Sequence, residues 1–374
     1  MRNSSIPCNC RWLNRTCLSL QVLFALLLAS TVSAQDPPMF SSMQGQGTME
    51  VMTLNMYAGT GYGGIAQATN LDAFYLAVSN AIDEVRAGNP PARAQDIARQ
   101  IAAAKPDLVS LQEVATWSTG TYTGSWTGTS TCENRTLEYD FRQLLLDALA
   151  AQGLQYNAIA TNTHFTVDAP TSATACIRNT WSIVVLARAN LTDGAFSYSN
   201  VASHTFSLVL PIAINVPPGY TLFWPRGWVS VDVAFRGKQF RFIAAHLERI
   251  LPAPYLGFFN IVQGQELLAA DGPTDTNMPV VVAGDMNSDA ANASDPAYAT
   301  YENFINADFT DAWTAARSLF DSGYGGYTRT FPEPMNKRSD LVLVRGDFNV
   351  QAAAVFCGGS DHCGVVARLQ LPSE

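Results

Sequence analysis

The tripeptide Ser360-Asp361-His362 and the tetrapeptide Gly284-Asp285-Met286-Asn287 each stand where an apolar run meets a loop. Val280-Val281-Val282-Ala283 leads into the tetrapeptide, and Gly364-Val365-Val366-Ala367 leaves the tripeptide. A buried strand that ends in a carboxylate, amide or imidazole holds that group rigidly at one edge of a sheet. Leu54-Asn55, Gln112-Glu113, His246-Leu247 and Asp340 add groups of the same kinds. Together they offer hard oxygen donors for a divalent cation, a carboxylate base and imidazoles for a phosphate. The chemistry this set suits is hydrolysis.

The elements that must position these groups can be read along the chain. Met49 to Met56 alternates as a strand that delivers Asn55. The Gly-rich run Gly59–Gly64 lacks the spacing of a dinucleotide cradle and reads as an access loop. Asn89-Pro90-Pro91 opens a helix with Ala94, Ile97, Ala98 and Ile101 on one face, stopped by Pro106. Asp107 to Gln112 is a short strand that delivers Glu113, and Thr116–Thr131 reads as a polar loop with aromatic tips. Leu137–Gln152 is an amphipathic helix closed by Gly153.

Strands follow at Tyr156–Ala160, Ser182–Ala187, Trp228–Phe235 and Phe240–Ala245, the last two paired across Arg236-Gly237-Lys238. A helix over Phe258–Ala270 precedes the Val280 strand, and Leu341–Val344 and Cys363–Leu369 complete the pattern. With no linker and no repeat, this interleaving predicts one α/β domain of two packed sheets with helices outside.

The N-terminus carries a different message. Arg2, Arg11 and Arg15 precede an apolar run, Leu18 to Ala29, followed by the small residues Val32-Ser33-Ala34. This is the pattern of a secretory signal peptide over 1–34, too short to span a membrane, with cleavage expected after Ala34. A lipoprotein would need a cysteine just after the run, and Cys8, Cys10 and Cys17 all precede it. Residues 35–47 read as a flexible lead-in and 48–371 as the folded domain. The expected product is exported, extracellular or periplasmic, with no transmembrane segment and no sign of an obligate dimer.

Cleavage would leave 19 basic against 31 acidic residues, a net charge of −12. That argues against strong passive attraction to nucleic acid, though a bound divalent ion can supply local positive charge. Four cysteines would remain, Cys132, Cys176, Cys357 and Cys363. An even number in an exported chain suggests two disulfides with three pairings open. Cys357–Cys363, bracketing the Ser-Asp-His loop, with Cys132–Cys176 is the favoured pairing. A zinc site from Cys357, Cys363 and His362 is the rival.

Taken together and in their order, the six fragments resemble the endonuclease/exonuclease/phosphatase superfamily, the deoxyribonuclease I-like fold, over about Thr48 to Leu371. The resemblance implies a four-layered sandwich of two mixed sheets flanked by helices, with the site at one sheet edge. It implies phosphoester hydrolysis with Mg²⁺ or Mn²⁺, Ca²⁺ being a further candidate. Residue by residue, it gives Glu113 and Asp361 as metal carboxylates, with Asn55 assisting the metal or a phosphate oxygen. Asp285 becomes the base that orients the attacking water, and Asn287 an amide donor to a phosphoryl oxygen. His362 and His246 flank the phosphate, with Asp340 fixing the tautomer of His362 and favouring its imidazolium form. The bland alternatives are a solvated strand-end glutamate at 113 and ordinary Asx turns at Asn55 and Asp285-Asn287. His164 and His204 match no motif and read as structural.

The sequence departs from the family pattern at Ala244-Ala245 before His246, at Ser339 before Asp340 and at Met286. These are neighbours of the chemical groups, so they bear on subfamily. The resemblance implies a phosphate-ester substrate, with nucleic acid favoured and phospholipid second. A nuclease needs rim cations or aromatics, for which Arg178, Arg226, Arg249, Arg329, Lys337 and Arg338 are candidates. A sphingomyelinase-type lipid enzyme needs an apolar hairpin at the membrane. Phe206–Trp228 could be that hairpin, although a buried strand pair is the preferred reading. A phosphomonoesterase and a catalytically dead binding module are the remaining alternatives.

Overall fold

Strand β1 (Thr48–Asn55) is buried at every position, so both of its faces must be covered. Met52 and Leu54 pack into a cluster shared with helices, while Met49 and Val51 pack against a second sheet. This computed structural model describes residues 47–123, 131–191, 196–216, 219–316, 325–329 and 335–371. The expected signal peptide, and the lead-in apart from residue 47, lie outside the described residues.

After β1 come α1 (Gly63–Gln67), α2 (Leu71–Ala87), α3 (Pro90–Ala104), β2 (Leu108–Thr121), β3 (Glu133–Asp140), α4 (Phe141–Ala151), β4 (Tyr156–Pro170) and β5 (Ala175–Arg188). Next are β6 (Phe196–Thr205), β7 (Leu210–Ile214), β8 (Tyr220–Trp224), β9 (Gly227–Phe235), β10 (Lys238–His246), α5 (Phe258–Leu268) and β11 (Val280–Asp285). The last described elements are α6 (Tyr298–Asn306), β12 (Thr310–Asp311), α7 (Ala312–Ala316), β13 (Asp340–Arg345), β14 (Asn349–Cys357) and β15 (Cys363–Gln370).

One sheet runs β14-β15-β1-β2-β5-β4, with β3 also paired to β2. The other runs β12-β13-β11-β10-β9-β6, and β7-β8 stands apart as a hairpin. The β1–β2 and β10–β11 pairs are parallel; the other pairs are antiparallel. The sheets meet through Val51, Leu108 and Val185 on one side and Val231, Phe242, Val281 and Val342 on the other. Each fully buried side chain of this size contributes about 1.5–3 kcal/mol. Hydrogen bonds also cross the seam, among them Ser110 Oγ to the carbonyl of Ala283 at 2.8 Å and Asn162 Nδ2 to the carbonyls of His204 and Trp228 at 2.7 and 2.8 Å.

Helices α2, α3 and α4 cover the outer face of the first sheet through Phe74, Val78, Ile97, Ile101, Phe141 and Leu145. Leu267 of α5 and Phe304 of α6 cover the second. The result is the four-layered sandwich with helices outside. Among the described residues no helix is long and apolar enough to cross a membrane.

Several local expectations need correction. Thr116–Thr121 is strand, the far half of β2, because β3 and β5 both pair with it. Residues 124–130 of the expected loop lie outside the described residues. The helix expected from Leu137 starts at Phe141, where the Asp140 carboxylate caps it by accepting from the amide of Gln143 at 3.1 Å. Leu137 instead sits in β3, 59% exposed. Helix α2 goes beyond the expectation, although Asn70 caps it and Phe74, Val78, Ile82 and Val85 recur at helical spacing. Strands β6 and β14 and helix α6 were likewise not anticipated.

The expected hairpin turn is present, with Arg236 and Gly237 both at positive φ (52° and 81°), as a two-residue turn demands. Both favoured disulfides are formed, Cys132–Cys176 and Cys357–Cys363. That consumes the thiols of the zinc alternative.

Candidate active site

Strand register assembles half of the site. In the parallel β10–β11 pair His246 lies opposite Asp285, and in the antiparallel β11–β13 pair Asp340 lies opposite Asp285. Imidazole and two carboxylates thus stand side by side at one edge of the six-stranded sheet. Gly284 must be glycine here, since a Cβ would come within 2.1 Å of the carbonyl oxygen of Ala245. Just past β11, Asn287 bends back at φ 48°. Its backbone amide donates to Asp285 Oδ1 at 3.0 Å, and its side-chain amide donates to Leu247 O at 3.0 Å and Asp285 Oδ2 at 3.3 Å. Arg329 Nη1 donates to Asn287 Oδ1 at 3.2 Å.

The seven-stranded sheet delivers its groups differently. Between Leu111 and Val114 the β2–β5 ladder slips by one residue, and Glu113 takes φ 52°. This β-bulge turns Glu113 out of the strand. Its Oε1 accepts from Asn55 Nδ2 at 3.2 Å, and its Oε2 accepts from the amide of Ala58 at 2.7 Å. Left-handed backbone at Tyr57, Glu113 and Asn287 costs of order 1–3 kcal/mol each, strain that clusters at functional sites.

Asp361 and His362 immediately precede β15. Ser360 Oγ donates to the carbonyl of Asn55 at 2.6 Å and accepts from the amide of His362 at 3.1 Å, pinning this loop to β1. Arg93 of α3 adds a second fastening through the carbonyls of Gly359 at 2.9 Å and Tyr57 at 2.6 Å.

Around Asp285 the two histidines take opposite charge states. His362 Nδ1 lies 2.7 Å from Asp340 Oδ2. Burial alone would lower its pKa, but the charges of Asp340 and Asp285 and this hydrogen bond push it up to about 10. His362 is therefore an imidazolium whose Nε2 faces Asp285 Oδ2 at 3.8 Å. The unusual Ser339 finds a use, its hydroxyl donating to the same Asp340 Oδ2 at 3.3 Å. His246 Nε2 lies 3.4 Å from Asp285 Oδ2, while its Nδ1 faces Arg226 Nη1 at 3.0 Å. A guanidinium can only donate, so His246 is neutral with its proton on Nε2. Burial, then Arg226, holds its pKa well below the ordinary value. Burial and the nearby Asp340 push the Asp285 carboxyl up, an effect His362 and Arg329 offset in part.

Asp285, Asp340 and His362 offer ligand atoms within 4.8 Å of one another. We read them as a proton network, because an imidazolium has no lone pair for a metal. Glu113 and Asp361, which line one cavity, suit a hard divalent cation better. Burial, with Glu113 adding repulsion, pushes the Asp361 carboxyl up, and a bound cation would relieve that crowding. Asn55 has a different geometry from a simple ligand. Its Nδ2 bridges Glu113 and Asp285 (3.1 Å to the latter), and its Oδ1 accepts from the amide of Tyr57 at 2.8 Å.

All these groups except Asn55 and Asp340 border a cavity of about 590 Å³, within the range of small-molecule sites. One side is aromatic and aliphatic, with Tyr57, Tyr62, Trp181, Leu210, Ile212 and Trp224. Of the expected rim cations only Arg226, Arg249 and Arg329 reach it. Arg178 pairs with Asp168, Lys337 with Asp295 and Arg338 with Asp311, while Arg226 is buried beneath His246, 3.5 Å from Glu248. The Phe206–Trp228 segment is neither fully buried nor free. β7 and β8 alternate, with Ile214 and Trp224 buried and Phe223 62% exposed.

The residues sequence reasoning assigned no such place are Arg226 under His246, Ser360 at the loop base, Arg93 behind it, and the aromatic side of the cavity. Ser360 was visible inside its tripeptide, and Trp224-Pro225-Arg226 inside the apolar stretch. Nothing local pointed to their partners. His164 lies buried in β4 with its pKa lowered to about 3 by burial and Arg226. His204 lies exposed on β6, 3.6 Å from Glu266.

Comparison with known proteins identifies the family and the fold. The model of the endonuclease/exonuclease/phosphatase family matches residues 52–362. No curated protein sequence matches. Among solved structures, an endonuclease/exonuclease/phosphatase from Beutenbergia cavernae superposes with a TM-score of 0.54 at 22% identity, covering 87% of this chain and 72% of its own. A family protein from Leptotrichia buccalis gives 0.52 at 16% identity, covering 86% and 100%. Another from Bacteroides vulgatus gives 0.50 at 14%, covering 87% and 99%. At these identities the structural likeness concerns the fold.

Proposed function

We propose that this chain, which belongs to the endonuclease/exonuclease/phosphatase family, is an exported phosphodiesterase whose attacking water is oriented by Asp285. The observation that carries this reading is the placement of Asp285 Oδ2 between His246 Nε2 at 3.4 Å and His362 Nε2 at 3.8 Å. A carboxylate flanked by two N–H donors can take a proton from water while the donors hold phosphoryl oxygens beside it.

Asn287 and Asn55 fix the orientation of the Asp285 carboxylate through their amides. His362, cationic through Asp340, offsets the growing negative charge on the phosphoryl oxygens. His246, held neutral by Arg226, donates a hydrogen bond on the leaving-group side without titrating near neutral pH. Glu113 and Asp361 are the residues that would hold Mg²⁺ or Mn²⁺, with Asn55 supporting Glu113. When bound, such an ion supplies Lewis-acid stabilisation of phosphoryl charge. No covalent intermediate is needed.

Export is supported by the two disulfides and the signal-like N-terminus. The nuclease reading keeps only part of its cationic rim, Arg249 and Arg329, since Arg178, Lys337 and Arg338 are paired elsewhere and Arg226 is buried. The dead-module reading has no departure among the chemical groups to support it. The test is hydrolysis of bis(p-nitrophenyl) phosphate by the purified chain. EDTA should abolish turnover and Mg²⁺ or Mn²⁺ restore it. Chelator-resistant turnover would remove the metal assignment, and no turnover with any divalent ion would remove the enzyme.

A further inference from the structure

We infer that the aromatic-aliphatic side of the catalytic cavity is a subsite for an apolar, preferably aromatic, ester group carried by the phosphate. The substrate is then a small amphiphilic phosphodiester and not a polymer. This rests on the phosphodiesterase reading above and states what else the phosphate must carry.

The wall is built, not incidental. Tyr62, Trp181 and Trp224 pack edge to face, with centroids 4.7 Å apart for Tyr62–Trp224 and 5.1 Å for Trp181–Trp224. Two of its polar atoms are spent within the protein. The Tyr62 hydroxyl donates to Asn179 Oδ1 at 2.8 Å and accepts from Trp181 Nε1 at 3.2 Å. Trp181 and Trp224 are nearly buried, so they back the wall while Tyr62, with its hydroxyl occupied, offers a ligand mainly carbon surface. Hairpin β7–β8 extends that surface through Leu210 and Ile212, whose row faces the cavity while Phe223 faces out.

Floor and wall are one piece. The Arg226 guanidinium lies 5.5 Å from the Trp181 ring centroid and also holds His246. A phosphate at Asp285 and the histidines would thus place its ester substituent against this wall. A fixed apolar surface discriminates by the area it buries, about tenfold for a phenyl over a methyl group. A polyanion gains little there, and the pairing of Arg178, Lys337 and Arg338 leaves it few cations to follow.

The test uses the full chain with Mg²⁺. Calorimetry should show phenylphosphonate binding about tenfold or more tighter than methylphosphonate. Ile212→Ser should cut that ratio to near unity by weakening only the phenyl ligand, and Ala66→Phe, which fills the chamber instead of emptying it, should do the same. Phe223→Ser on the outer row should change neither ligand. Equal affinities in the unaltered protein, or a ratio untouched by both inner variants, would overturn the inference. So would plasmid DNA cleaved with a kcat/KM above that for bis(p-nitrophenyl) phosphate. Loss of all hydrolysis with the phenyl preference intact would instead strike the phosphodiesterase reading and leave the subsite standing.

Discussion

The two sheets reach the same edge but arm it by different means. The six-stranded sheet supplies His246, Asp285 and Asp340 from adjacent register positions of three paired strands, all buried. The seven-stranded sheet supplies Glu113 from a bulge at positive φ, and Asp361 and His362 from a loop stapled by Ser360 and a disulfide. Ladder hydrogen bonds fix positions tightly, which suits proton transfer, where a small misplacement is costly. The bulge and the loop bring the Glu113 and Asp361 carboxylates to the cavity they line, which suits a cation that keeps part of its water shell. On the proposed roles, the contrast separates a ladder-held proton side, completed by His362 from the loop, from a cation side carried by the bulge and the loop.

The sharpest way to break that contrast is Asp285→Asn, which keeps the volume and removes the base. kcat should fall about 10³-fold or more, with the melting temperature nearly unchanged; a variant retaining a tenth of the activity would end the assignment. His362→Ala should cost about 10²–10³-fold in kcat, and full activity would refute its role. On the cation side Glu113→Gln should raise the Mg²⁺ needed for half-maximal rate about 10–100-fold while most of kcat survives at saturation. If it instead behaves like Asp285→Asn, the two sides are not distinct.

The pH profile sharpens the same line. His362 must be protonated to act, and its pKa is raised to about 10, so activity should hold above neutrality and fall as pH rises through about 10. Asp340→Asn removes the partner that raises it, so the alkaline fall should move to lower pH by a unit or more. An unmoved limb would detach Asp340 from His362. The smallest effect concerns the loop. Replacing Cys357 and Cys363 by serine opens a short loop, worth about 2 kcal/mol by loop-closure entropy. Urea denaturation should show that loss while kcat changes only a few-fold, and a collapse of activity would make the clip part of the catalytic geometry.

Much of this was legible because the signals were local. Apolar runs ending in Asp285, His246 and Glu113 announced buried strands with chemical tips, and hairpin and cap residues marked several boundaries. The helix expected over Leu137–Gln152 failed at its start because β2 was there to pair residues 133–140. Thr116–Thr121 looked like loop because Ser118, Gly120 and the Gly/Ser-rich run after them mask its threonines and Trp117, yet those residues favour strand and two neighbouring strands pair with them. Arg226 was read as a surface cation, and only packing revealed it beneath His246. Arg178, Lys337 and Arg338 likewise owe their fates to partners far away in the chain.

By itself the sequence marked which side chains are candidates for chemistry, that most of them end buried strands, and that the layers are strand-rich with helices outside. Those properties follow from residue type and short-range hydrophobic pattern. Tertiary structure alone decided the opposite charge states of His246 and His362, the outward turn of Glu113 and the apolar side of the cavity. A pKa, a bulge and a cavity wall are set by neighbours brought close by long-range pairing and packing, and no local run of residues encodes who those neighbours are.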